Sequence, residues 1–190
     1  LAFILTITVA GCAPAAVVGG TGALGLTVAQ ERSLGNAIDD TTITTAINSL
    51  YLQKDINYLF EDVDVQAHEG RVLLTGEVPT ADDRVEAVRL AWQPQGVREV
   101  INEIEIREKP SPKEYAADTW ITTQIKTKLL FVEQVRSINY SVDTVNGIVY
   151  LLGIAQDKKE LQTVADISSR VKGVKKVVSY VKLKDDPSRF

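Results

Sequence analysis

Asp118-Thr119-Trp120-Ile121-Thr122-Thr123-Gln124-Ile125 repeats an earlier stretch, Asp40-Thr41-Thr42-Ile43-Thr44-Thr45-Ala46-Ile47, at an offset of 78 residues. The likeness continues outward. Gly70, Gly76 and Gly96 answer to Gly147, Gly153 and Gly173 at an offset of 77, so one deletion in a loop reconciles the two registers. Glycines kept at fixed spacing in both copies mark backbone positions that need a turn or a close approach. The body of this 190-residue chain therefore reads as an internal duplication.

Each copy gives the same order of elements. Asp40 or Asp118 reads as a helix N-cap, followed by apolar residues at helical spacing: Ile43, Ile47 and Tyr51, or Ile121, Ile125 and Leu129. Two alternating strands come next, Val63–Ala67 with Arg71–Val78 and Asn139–Asp143 with Ile148–Ile154. Glu69-Gly70 and Asn146-Gly147 join them, the second being a strong hairpin signal. A second helix is expected over Ala81–Trp92 or Lys158–Val171, with Asp82 and Asp83, or Asp157, at its positive end. It stops near Gly96 or Gly173, and a last strand carries Val100, Asn102, Ile104 and Ile106, or Val177, Ser179, Val181 and Leu183, on one face. The unit is αββαβ, near the lower size at which a domain folds alone. Residues 39–107 and 118–185 form the two units, 108–117 a Pro-containing linker, and 186–190 a tail.

Upstream, LAFILTITVA over residues 1–10 has the length of a signal-peptide core and runs into Val9-Ala10-Gly11-Cys12. That sequence resembles the lipobox of bacterial lipoproteins, and the sole Cys of the chain stands where a lipid would be attached. The expectation is removal of residues 1–11, acylation of Cys12 with chains such as palmitate, and a Gly/Ala-rich tether over 12–38. Each buried methylene contributes about 0.8 kcal/mol, so several acyl chains hold firmly. An uncleaved spanning helix fits less well, because Gly11, Pro14, Gly19, Gly20, Gly22 and Gly25 interrupt the run. Ala13 follows the Cys where the enterobacterial inner-membrane retention signal has Asp, which favours the outer membrane. Gly20-Thr21-Gly22-Ala23-Leu24-Gly25 matches G-x-G-x-x-G, yet no strand precedes it, so the dinucleotide-binding mechanism has no βαβ unit to act in.

Charge and composition exclude several classes. A pI near 5.1 leaves no dense cationic face for general nucleic-acid binding. One Cys forbids an intramolecular disulfide, and one His with one Cys supplies little for a metal, a cofactor or a His-assisted nucleophile. No enzyme, cofactor or metal is expected. His68, beside Glu69, reads as a solvated loop histidine, and Asp82-Asp83 as helix-start charges. Trp92 reads as domain core or an interdomain contact. The charge is unevenly divided: residues 39–107 hold 6 Lys+Arg against 14 Asp+Glu, and residues 113–186 hold 12 against 9.

With that element order, the Asp-Thr helix start and the paired glycines, both copies resemble BON domains. The second helix start, Asp118-Thr119-Trp120-Ile121-Thr122-Thr123, with Ile125, Lys126 and Leu129-Leu130, is similar to that of the DolP family of BON-domain outer-membrane lipoproteins. Ala165-Asp166-Ile167, Arg170-Val171 and Gly173-Val174-Lys175 fit the same pattern. The resemblance covers nearly the whole chain. It implies an α+β fold of two tandem domains, each a three-stranded mixed sheet covered by two helices on one face. It further implies an outer-membrane lipoprotein facing the periplasm, which binds anionic phospholipid (phosphatidylglycerol or cardiolipin) through that helix. Support of envelope integrity, stress response and cell division is implied as well. The family's Trp and nearby cation fall on Trp120 and Lys126, whereas its basic residue after the two Thr is Gln124 here, and Lys128 is an added cation.

Helical geometry supplies an independent reason to look at this helix. Ile121, Ile125 and Leu129 centre its buried face, and Trp120 lies about 140° from that centre, beside Thr123, Gln124 and Thr127. The first copy has Thr42 in the equivalent place, so the fold does not demand an aromatic there. The expected phospholipid contacts are Trp120, Ile121, Thr123, Gln124, Lys126, Thr127 and Lys128. An alternative reading makes the protein an adaptor for an envelope or outer-membrane assembly machine, touching it through the same face or the acidic first domain.

Overall fold

The structure, a computed structural model, describes residues 34–54, 59–108 and 110–189. In the first domain α1 (Leu34–Gln53) and a short α2 (Leu59–Asp62) lead into β1 (Val63–His68), β2 (Arg71–Val78), α3 (Ala81–Ala91) and β3 (Glu99–Ile106). The second repeats the order with α4 (Pro112–Leu130), β4 (Tyr140–Val145), β5 (Ile148–Ala155), α5 (Lys158–Ser169) and β6 (Lys176–Leu183). Each sheet is three-stranded with its middle strand antiparallel to the hairpin partner and parallel to the last strand. The expected αββαβ units with mixed sheets are present in both halves. α4 starts at Pro112, inside the segment read as linker.

Both helices of a unit pack on one sheet face. Ile43, Ile47 and Tyr51 of α1 meet Ala87, Leu90 and Ala91 of α3 over Val72, Leu74 and Ile104. Ile121, Ile125 and Leu129 of α4 do the same with Val164 over Val142, Val149 and Leu151. A buried aliphatic side chain contributes about 1.5–3 kcal/mol, so each helix is held chiefly by this stripe. The Tyr51 hydroxyl donates to the Ala87 carbonyl at 3.0 Å, satisfying its polar tip inside the core.

Asp40 and Asp118 are not N-caps. They lie inside longer helices, and in the second domain Ser111 caps, forming a reciprocal capping box with Glu114 ahead of Pro112. The Asp40 carboxylate instead accepts from the backbone N–H groups of Glu69 and Gly70, both at 2.8 Å. Asp118 accepts from Asn146 and Gly147 at 2.7 and 2.8 Å. These are hairpin turns with positive φ at both central residues, +54° and +73° in one, +51° and +75° in the other. Each aspartate thus ties a helix to a turn about 30 residues away by charge-assisted bonds.

All six repeat glycines have positive φ. The requirement is strictest at Gly76 and Gly153. A Cβ there would stand 2.0 Å from the carbonyl oxygen of Asp62 or Asn139.

The two sheets also meet each other. Leu73 and Ile101 of the first form one cluster with Val145, Tyr150 and Leu152 of the second, and Tyr180 packs against it. The strand pattern is accordingly not alternating but buried on both faces, from Val72 to Thr75 and from Val149 to Ala155. Polar links surround this seam. Thr75 donates to Asp143 at 2.5 Å, Arg71 to the Tyr180 carbonyl at 2.8 Å, and the Tyr180 hydroxyl to Glu103. Two expectations are corrected here. His68, read as solvated, is buried at the end of β1, and Trp92, read as core or interdomain, is half-exposed at the end of α3.

Candidate membrane-facing site

α4 divides into three faces. The inner face carries Ile121, Ile125 and Leu129. Ile121, expected among the lipid contacts, is only 3% exposed, and its Cδ1 fits against Gly173 where a Cβ would stand 3.0 Å away. Its side chain is committed to the core, which is where a residue at the centre of the apolar stripe must be.

A second face looks toward the first domain. Tyr115, Thr119, Thr122, Thr123 and Lys126 line a cleft with Asp64, Glu77 and Asp143. The Thr122 hydroxyl donates to Thr144 at 2.8 Å, and the Thr123 hydroxyl to the Thr119 carbonyl at 2.8 Å. Lys126 belongs here. At about 100° per residue it lies about 120° around the helix from Trp120, so one flat contact does not engage both side chains equally. Its charge acts on Asp64, whose carboxyl is raised by desolvation and by Asp143 and lowered by Lys126.

The third face points outward. Trp120 is 62% exposed and Phe131, just past the last turn, is 83% exposed. The two are separated by eleven residues, which brings them within about 20° of each other and about 16 Å apart along the axis. Thr127 and Lys113, both exposed, share this stripe at heptad spacing from Trp120. Gln124 and Lys128 flank it on one side and Thr123 on the other. Phe131 and Lys113 were not singled out from the sequence. Phe131 lies beyond the repeat motif, but its place one turn after Thr127 was a readable signal. Cys12, the expected lipidation site, lies outside the described residues.

Among the described residues, no group of three or more His, Cys, Asp or Glu is placed to hold a metal. No described helix is long and apolar enough to cross a membrane.

The BON domain model matches residues 39–108 and 117–185. The chain is 48% identical over 153 residues to an uncharacterized protein in the gshII 5'region of Anaplasma centrale, covering 80% of this chain and 99% of that one. It is 38% identical over 182 residues to the outer membrane lipoprotein DolP of Haemophilus influenzae, covering 95% and 92%. Osmotically-inducible protein Y of Escherichia coli matches at 33% over 155 residues, covering 80% and 77%. The chain belongs to the BON-domain family, as a two-domain member related to DolP and the osmotically-inducible protein Y.

Proposed function

We propose that this protein is an envelope lipoprotein, anchored by acylated Cys12 in the outer membrane and facing the periplasm. Its second BON domain rests the outer stripe of α4 on anionic phospholipid, phosphatidylglycerol or cardiolipin. The observation that carries the reading is the exposure of Trp120 on a helix whose first-domain counterpart, Thr42, is a small polar residue. An indole on a polar flank suits the headgroup level of a bilayer, where amphipathic rings settle. Phe131 extends the apolar contact, while Lys113 and Lys128 supply charge, each well-placed cation contributing on the order of 1 kcal/mol beside anionic lipid. The excess of carboxylates in the first domain repels the same surface and orients the body. The relationship to an outer membrane lipoprotein supports this location. Stabilising the outer membrane under stress and during cell division is the role that such an attachment serves.

Co-sedimentation of the chain with vesicles containing phosphatidylglycerol or cardiolipin tests the site. Trp120→Glu is expected to weaken partitioning at least tenfold while the unfolding midpoint stays unchanged. Equal partitioning of the two proteins would overturn the reading. Crosslinking from position 120 that yields one protein product in place of lipid would favour the adaptor role instead.

A further inference from the structure

Beside the sheet-to-sheet seam lies a cleft of about 330 Å³, walled by β1 and β2 of the first domain and by α4 and β4 of the second. Its size falls at the lower end of small-ligand sites. Six carboxylates line it against a single ammonium, that of Lys126. Asp118 holds the hairpin turn, Asp143 accepts from Thr75, and Glu77 accepts from Arg107. Asp64 is exposed in the cleft, and its pairing position opposite Thr75 in the β1–β2 ladder brings it to the same side of the sheet.

A separate observation marks the wall of the cleft. Glu77 is 4% exposed and lies on the β2 face turned toward the second domain, with Leu73 and Thr75. Arg107 donates to its Oε1 at 2.8 Å, while its Oε2 is buried and has no hydrogen-bond partner. A buried carboxylate oxygen without a donor carries an uncompensated desolvation cost, and it belongs to a residue that lines the cleft. The remaining lining is not acidic. Pro110 and Val145 are apolar, and the Tyr115 ring, 68% exposed, borders the cleft. An aromatic face attracts a cation and also packs on its methylene stem. The carboxylates do not converge as a metal cage among the described residues, which favours an extended organic cation over a metal ion.

We propose that this interdomain cleft binds an organic cation, an ammonium or guanidinium head on an apolar stem, with the stem against Tyr115 and the head among Asp64, Asp143 and Glu77. Two sources carry that chemistry, a Lys or Arg side chain of a polypeptide and a free polyamine. The cleft is distinct from the outer stripe of α4, so the site stands apart from the lipid contact.

The test titrates the full chain with spermidine, with Nα-acetyl-lysine amide, with Nα-acetyl-arginine amide and with KCl at matched ionic strength. Backbone amide shifts of Thr119, Thr122 and Thr123 report binding. Saturable shifts are expected with the organic cations at concentrations where potassium produces none. Strongest binding by spermidine assigns a polyamine, and by either amide a side chain. Asp64→Asn and Tyr115→Ala are each expected to weaken binding at least fivefold, while Glu133→Gln, a carboxylate removed away from the cleft, leaves it unchanged. Potassium matching the organic cations would overturn the proposal, as would wild-type affinity in either cleft variant.

Discussion

Arg189 grips Glu69 with two hydrogen bonds, at 2.8 and 3.0 Å, across 120 residues of chain. Both side chains are almost fully buried. Glu69 is the first residue of the tight turn in the first domain, the same turn that Asp40 holds from the other side. The segment after β6 therefore returns to the first domain and closes over its hairpin, adding an ionic clasp to the apolar seam. Removing one partner leaves the other charge buried without compensation. Arg189→Ala is expected to lower stability by about 3–5 kcal/mol, read as a fall in the denaturant midpoint. Arg89→Ala, which breaks only the exposed pair with Glu86, is expected to leave that midpoint almost unchanged.

Gly153→Ala sets a methyl carbon 2.0 Å from the carbonyl oxygen of Asn139, with φ at +151°. The atoms it meets, the carbonyl oxygen and carbon of Asn139 and the Cα of Tyr140, are all main chain, so no flexible side chain can move aside. Strain and overpacking together are expected to cost roughly 2–5 kcal/mol. Gly173→Ala meets only the end of the Ile121 side chain, at 3.0 Å, and the smaller loss expected there distinguishes a backbone clash from a movable neighbour. Thermal unfolding of the two variants side by side reads the difference.

Two carboxylates give pH dependences of opposite sign. Glu114 is lowered to about 2, first by the Ser111 hydroxyl and backbone of the capping box and then by Arg107. Its folded value lies below its unfolded one, so its contribution is present above about pH 4.5 and lost as the pH falls toward about 2. Asp64 is raised by desolvation and by Asp143, so it favours the folded state when protonated, and that advantage disappears as the pH rises through its folded value. Asp64→Asn is therefore expected to stabilise the protein slightly at neutral pH, by removing a charge that desolvation and Asp143 both disfavour. Glu114→Gln should flatten the acid limb. Denaturant unfolding between pH 3 and 7 separates the two slopes.

Sequence periodicity carried the element order, because the apolar stripes of α1 and α4 and the Asn146-Gly147 turn are local signals. The duplicated Asp-Thr start was visible, yet its purpose was not. A cap and a brace to a turn about 30 residues distant both call for an aspartate near a helix start, and only tertiary geometry tells them apart. The seam left a trace that strand alternation obscured. Val72-Leu73-Leu74 and Val149-Tyr150-Leu151-Leu152 are continuous apolar runs, the mark of strands covered on both faces. Arg189 had no local signal at all, since its partner is set by the way the tail returns. On α4, helical periodicity correctly turned Trp120 outward, while the division between Trp120 and Lys126 depended on where the first domain sits.

That division gives the last expectation. Trp120 and Phe131 share the outer stripe of α4, whereas Lys126 lines the acidic cleft. If lipid contact follows the stripe, Phe131→Glu should weaken vesicle binding in the same direction as Trp120→Glu, by several-fold or more. Lys126→Ala should change it by less than about twofold, because the neighbouring carboxylates already hold that charge. Rising salt should weaken the wild type through screening of Lys113 and Lys128, and Lys113→Ala should flatten that salt dependence. Vesicle co-sedimentation across a salt series measures all four. A Lys126→Ala loss equal to that of Trp120→Glu would instead mean that α4 meets the bilayer on its cleft side, which requires the two domains to part.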